Sequence, residues 1–306
     1  MKFIVTCCNH EHLLTTLQSA YLDIFIIGED KLSSRLPYCY ELAELTDTIS
    51  IINNANKAAY IDLRAMITND LLPYVTEVLE YLLPLQVAGI LFSDPAVYML
   101  AKELNCSIPL ISVSDTTTTN WFSVKNWYNK GIEHVVIAKE LTRFAIESID
   151  SNLSDTPVAL DIQVFGPLAM FHSRRKLLNN YYKQLAKINN DEQQYLFDAE
   201  RNVYYPIIEN VSGTHIFSPK DVCLIDEFAF LAKIKHLQFL RIDAFGHTPE
   251  FMDKIYTLFT TAWTEFSNND KEYSGKKQDY LQQVIKLYPN EYRTCDKGFF
   301  YKPTIY

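Results

Sequence analysis

Three observations predict that this chain folds as an α/β protein, a (β/α)8 TIM-type barrel. Eight short apolar runs recur along its 306 residues, and most are followed by a stretch whose apolar residues repeat at helical spacing. Most of the runs are apolar throughout rather than alternating, as strands covered on both faces must be. The strand–helix rhythm holds from the start of the chain to residue 165 and fails once thereafter. A doubly wound open sheet shares these features and is the competing arrangement.

The predicted strands, in order, are KFIVTC (2–7), DIFIIG (23–28), AAYIDL (58–63), QVAGILF (86–92), IPLISVS (108–114), EHVVIAK (133–139), VALDIQVF (158–165) and LQFLRID (237–243). Helical spacing marks EHLLTTLQSAY, DLLPYVTEVLEYLLPL, DPAVYMLAKELN and ELTRFAIESIDSN between them. The seventh strand is read as breaking at Gly166-Pro167, with Arg174 and Arg175 just beyond the turn. About seventy residues then separate it from the eighth strand, roughly twice what one helix and two loops need. The excess is an insertion at about 167–218, with a polar KINNDEQQ and an aromatic NVYYPIIENVSGTHIF. In SPKDVCLIDEFAFLAKI, Ser218 suits an N-cap, Pro219 the first helical position and Asp221 the acidic first turn. A helix is therefore expected to start near Pro219. After the eighth strand, HTPEFMDKIYTLFTTAWTEF reads as a helix and KGFFYKPTIY as an aromatic tail. Residues 1–306 are expected to form one barrel domain, its C-terminal helices and tail spanning about 248–306.

Hydrophobic residues make up 48% of the chain and charged residues 21%, enough for a sizeable core. The net charge of −9 opposes unaided nucleic-acid binding, because phosphate contacts dominate such affinity; a local basic patch or a partner must supply the grip. The six cysteines form no C-x-x-C pair and match no zinc spacing, so free thiols are expected. The opening MKFIVTCCNHEH is too briefly apolar for a signal peptide, and no run is long enough to span a membrane. A cytoplasmic protein without a membrane partner is expected.

Three stretches, GTHIFSPKDVCLIDEFAFL, FLRIDAFG and QVFGPLAMFHSRRKLL, together resemble the peptidase U32 family. The resemblance runs from DIFIIGED to KGFFYKPTIY and is nearest the shorter of two paired Gram-positive members. It implies a barrel and a role in forming 5-hydroxyuridine at the tRNA wobble position, in a pathway with prephenate as a candidate ligand. Many family members bind a [4Fe–4S] cluster through four cysteines. The resemblance puts Ala169 and Lys176 at two of those positions, and no cysteine lies between Cys106 and Cys223. Neither Ala nor Lys replaces a thiolate. No cluster or metal is therefore expected on this chain, and a cluster-bearing U32 relative is the expected partner, with tRNA bound through the complex. Phe165 stands where the family often has His, and Arg241-Ile242-Asp243-Ala244 replaces a Lys-Ile-Glu-Gly motif.

A barrel mouth collects residues at strand C-terminal ends, which nominates Asn9, His10, Glu29, Arg64, Asp94, Ser114, Glu140, Gln163, Arg241 and Asp243. Arg35 matches a family arginine, and Arg174 and Arg175 would overhang the same mouth. Guanidinium forks suit carboxylates and phosphates, so these residues are anion-binding candidates. The bland alternatives are strand-end ion pairs for Arg241 and Asp243 and a solvated helix face for Arg174 and Arg175. His10, Glu11 and His12 lack metal-site spacing and read as a helix start, and SDTTTTNW reads as a loop capping a helix at Asn120. His172 and His215 are expected to make packing or loop contacts. The aromatic tail fits a barrel bottom or an interface better than base stacking. No residue names itself as catalytic: G-x-S-x-G and H-E-x-x-H are absent. A collagenase-like U32 peptidase and a non-catalytic partner barrel are the alternative functions.

Overall fold

The computed structural model describes residues 1–114, 116–187, 194–289 and 293–302. Seven parallel strands pair in chain order: β1 (Lys2–Thr6), β2 (Ile24–Gly28), β3 (Ala58–Leu63), β4 (Gly89–Phe92), β5 (Leu110–Val113), β6 (His134–Val136) and β7 (Ala159–Ser173). The chain then leaves the ring to build β8 (Gln194–Asp198), β9 (Val203–Asn210) and β10 (Gly213–Cys223). It returns as β11 (Leu237–Ile242), which pairs with both β7 and β1 and closes an eight-stranded parallel barrel. All eight predicted strands are present, and the closed ring excludes the open sheet.

Helices α1 (His10–Thr16), α2 (Leu45–Asn54), α3 (Leu72–Leu82), α4 (Pro95–Glu103), α5 (Trp121–Asn129) and α6 (Arg143–Ser151) fill the crossovers up to β7. Capping side chains set several of their starts. Asn9, Asp94, Asn120 and Thr142 each accept a backbone N–H from the first turn of the helix that follows. Such caps contribute about 1 kcal/mol each. Strand alternation sends Ile4, Ile24, Ile26, Tyr60, Leu91 and Ile111 into the barrel. The opposite faces, including Phe3, Val5, Phe25, Ile27 and Ile90, pack beneath the helices with Leu45, Ile49, Leu79 and Val97.

Two expectations are corrected. The seventh strand does not break at Gly166-Pro167: β7 continues for 15 residues, leaving its parallel neighbours to pair antiparallel with β10. Gly166 makes that change of partner possible. Its φ is +113°, and a Cβ there would stand 2.5 Å from the Asp243 carbonyl oxygen. No helix starts at Pro219, which lies inside β10. The register shifts between Phe217 and Asp221, so Pro219 sits in an irregularity where its missing N–H breaks no ladder bond. Ser218 does not cap a helix. Its hydroxyl accepts the Leu168 N–H at 2.9 Å and so helps hold the two strands together.

Between β7 and β8 lies α7 (Leu177–Gln184); after β10 come α8 (Phe228–Leu231) and, beyond β11, the hairpin α9 (Pro249–Asn268) and α10 (Asp270–Leu287). Tyr273 is buried against Phe228 and joins it to Ile225, accepting from the Phe228 N–H and donating to the Ile225 carbonyl. Strand β12 (Thr294–Asp296) pairs with β10. Of the aromatic tail, Phe300 is buried edge-on to Phe230, whereas residues 303–306 lie outside the described residues. Among the described residues no helix is long and apolar enough to cross a membrane.

Candidate functional site

The mouth of the barrel is occupied by the chain's own loop, residues 29–40. Glu29, fully buried at the end of β2, accepts the Lys31 and Leu32 N–H groups at 3.0 and 2.8 Å and the Tyr74 hydroxyl at 2.6 Å. Burial, with a hydrogen bond that the protonated Glu29 carboxyl donates to Asp30, pushes its carboxyl up to about 7. The loop then bends inward: Ser33 Oγ donates to the Asp62 carbonyl at 2.7 Å, and Leu36 joins the apolar interior with Cys39 beside it. Arg35 takes a left-handed φ of +62° between them. Arg64 forks onto Asp62 at 2.5 and 3.1 Å and is 9% exposed. Asp94 caps α4 and accepts the Ile67 N–H at 3.0 Å. Glu29, Arg64 and Asp94 are thus held by internal partners that shape the mouth.

Below the loop lies a buried ion pair. Arg241 donates to Asp161 at 2.5 and 3.3 Å, and His134 Nε2 lies 3.2 Å from the same carboxylate. Burial alone would raise the Asp161 carboxyl, but the Arg241 guanidinium and His134 outweigh it and hold it below its ordinary range. Burial lowers His134. Gln163, one inward position above, donates to the Pro167 carbonyl at 3.0 Å, while its buried Oε1 has no partner among the described residues. Asp243 accepts from Thr6 Oγ1 and the Phe245 N–H at 3.3 and 3.0 Å. Of the remaining nominees, Asn9 caps α1, His10 lies 3.2 Å from the Tyr40 hydroxyl, Ser114 lies 2.6 Å from Thr118 Oγ1, and Glu140 is exposed.

Arg174 and Arg175 are exposed between β7 and α7. Arg174 lines a cavity of about 200 Å³ with Lys31 of the mouth loop, Met66 and Asp70.

A second group escaped the sequence. Asp221, fully buried on β10, accepts Arg293 Nη2 and the Tyr288 hydroxyl, both at 2.7 Å, and lies 2.9 Å from His247 Nε2. Against the cost of burial, Arg293 and His247 hold its carboxyl down at about 2. His247 stacks on Phe251, ring centroids 4.4 Å apart. Beside this group opens a crevice of about 370 Å³, walled by Tyr195, His247, Phe251 and Tyr288, with Lys254 and Glu250 also lining it. Arg293 also lines it, and its buried Nε has no hydrogen-bond partner among the described residues. Aromatic walls of this kind suit a planar ring. The four members of the Asp221 group come from three distant segments, and a carboxylate inside the apolar run DVCLI was the one available signal.

A serine–histidine contact has nucleophile–base chemistry: Ser212 Oγ lies 2.9 Å from His215 Nε2. Ser212 Oγ also lies 2.7 Å from Asn210 Oδ1, however, and the His215 ring stacks on His172 at 4.2 Å. These bonds lock the β9–β10 turn. They also account for both histidines as packing and loop contacts.

The residues at the positions implied for a [4Fe–4S] cluster do not fit one. Ala169 is in β7 opposite Phe217, and Lys176 precedes α7, its Nζ on the Asn210 carbonyl. Burial pushes Cys8 and Cys39 up to about 12 and Cys7 higher, away from the thiolate that iron requires. Among the described residues no three His, Cys, Asp or Glu side chains are grouped to hold a metal ion.

The family model "Peptidase family U32" matches residues 10–304. The chain is 31% identical to tRNA hydroxylation protein P2 of Bacillus subtilis (strain 168), over 100% of this chain and 99% of that protein. It is 18% identical to tRNA hydroxylation protein P1 of the same strain, over 46% of this chain and 33% of that one. Among solved structures, the U32 peptidase Mk0906 superposes with a TM-score of 0.51 at 14% identity, covering 79% of this chain and 92% of that one, a likeness of fold. With a match over nearly its whole length and a full-length relative, this chain belongs to peptidase family U32.

Proposed function

We propose that this chain is a subunit of a system that hydroxylates the wobble uridine of tRNA, working beside a U32 relative that carries the iron–sulfur cluster. The carrying observation is its similarity to tRNA hydroxylation protein P2 from end to end, with neither chain extending far beyond the other. The lack of thiols at Ala169 and Lys176 supports assigning the cluster to the partner. The aromatic crevice beside the Asp221 group supports a planar-ring ligand. Prephenate belongs to this reading as a ligand of the pathway, with no residue of this chain assigned to it. The cytoplasm is the compartment the reading implies.

The test is deletion of the gene followed by mass spectrometry of tRNA nucleosides. Loss of 5-hydroxyuridine and its derivatives, restored by the wild-type gene, is expected; unchanged tRNA overturns the reading. One observation favours a narrower role, in which the chain positions substrate and does no chemistry. The centre of its mouth is filled by Leu36 and the loop around it. In that case the partner purified alone retains slow hydroxylation that this chain accelerates, whereas turnover by this chain alone would exclude it.

A further inference from the structure

The insertion segregates charge. Residues 173–187, SRRKLLNNYYKQLAK, carry five Lys and Arg and no Asp or Glu, in a chain of net charge −9. Arg174, Arg175, Lys176, Lys183 and Lys187 are all exposed. Helix α7 turns Leu178 inward, where its N–H meets Glu209 at 2.9 Å, and Lys183, five residues on, falls on the other side. At the barrel the arm meets a mixed surface, because Arg174 shares its cavity with Lys31 of the mouth loop and with the exposed Asp70, so the acid-free run is that of residues 173–187. Large apolar side chains stand exposed on the same arm, among them Phe171 at 45% and Tyr181 at 57%.

We propose that this arm is the surface that grips single-stranded RNA, its cations on successive phosphates and its rings against unstacked bases. The proposal rests on the tRNA reading for its choice of polyanion and adds the place of contact. Charge complementarity selects the occupant: adjacent cations with no acid between them suit a run of phosphates, and exposed rings suit bases of any identity. It also resolves the acidic composition, since a local patch suffices when the rest of the surface faces away from the RNA.

The test measures binding of an unmodified tRNA transcript to the full chain, by fluorescence anisotropy between 50 and 300 mM salt. The arm variant Arg174→Gln/Arg175→Gln/Lys183→Gln is compared with Lys2→Gln/Lys233→Gln/Lys235→Gln, which removes the same charge from the opposite end of the barrel. These side chains are exposed, so both variants should melt as the wild type does. The arm variant is expected to bind about tenfold more weakly, its slope of log affinity against log salt shallower by about two. The control variant should bind like the wild type. Equal affinity and slope in the arm variant, equal losses in both variants, or no salt-dependent binding by the wild type would each overturn the proposal. So would an arm variant that keeps its RNA affinity but changes oligomeric state, which would make the arm a protein interface. The two readings fail separately. Unaltered binding with 5-hydroxyuridine lost on gene deletion sinks only the arm, and weakened binding with tRNA unchanged on deletion sinks only the hydroxylation role.

Discussion

Replacing Arg241 by Gln isolates the buried ion pair at the heart of the barrel. Asp161 is fully buried and Arg241 is 5% exposed, with the guanidinium at 2.5 Å, so little solvent screens the pair. Removing the cation leaves a buried carboxylate with His134 as a hydrogen-bonded ionisable neighbour, a change that costs about 3–5 kcal/mol. The pH dependence should reverse. In the wild type the Asp161 carboxyl is held low, so its stabilisation is present above the ordinary carboxylate range and is lost as pH falls through the lowered value. In Arg241→Gln burial is no longer opposed by the guanidinium, the carboxyl rises, and acid relieves the defect by protonating it. Urea unfolding followed by the fluorescence of the three tryptophans measures this. The deficit should be larger at pH 8 than at pH 5. Pairing the change with Asp161→Asn should recover most of it, because no buried charge then remains. A deficit below about 1 kcal/mol that is the same at both pH values would refute the reasoning.

Glu29 gives the opposite sign to wild-type Asp161. Its carboxyl is raised from 4.5 to about 7, so the native state holds a proton the unfolded chain releases, and stability falls as pH rises through that window. The fall should vanish in Glu29→Gln; parallel melting-temperature profiles for the two proteins between about pH 4.5 and 8 would contradict it. Gly166→Ala should destabilise by at least about 2 kcal/mol in denaturant titration, combining a left-handed φ with a clash on the Asp243 carbonyl; a neutral substitution would mean the change of strand partner does not need glycine.

The barrel was legible because parallel strands covered on both faces are written as apolar runs, and runs such as DIFIIG and QVAGILF have no other reading at their length. The insertion was legible as a break in rhythm, but its strands were not. Gly166-Pro167 looks like a turn and Ser218-Pro219 like a helix start, because the same residues serve irregular strand pairing as serve turns and caps. The mouth was legible in position more than in role. Strand ends nominated Glu29, Arg64, Asp94 and Arg241 as mouth groups; the first three lie around the mouth loop and Arg241 lies below it, and each is held by an internal partner that spacing does not reveal. The Asp221 group was missed for a related reason: it joins β10 to residues 247, 288 and 293, contacts that only the folded chain brings together.

Iron and sulfide analysis of this chain, purified anaerobically by itself and again with its U32 partner, tests the central claim most directly. Alone, the chain should be colourless and free of stoichiometric iron; the pair should hold one cluster, on the partner. Brown material with about four irons on this polypeptide by itself would contradict the division of labour proposed here.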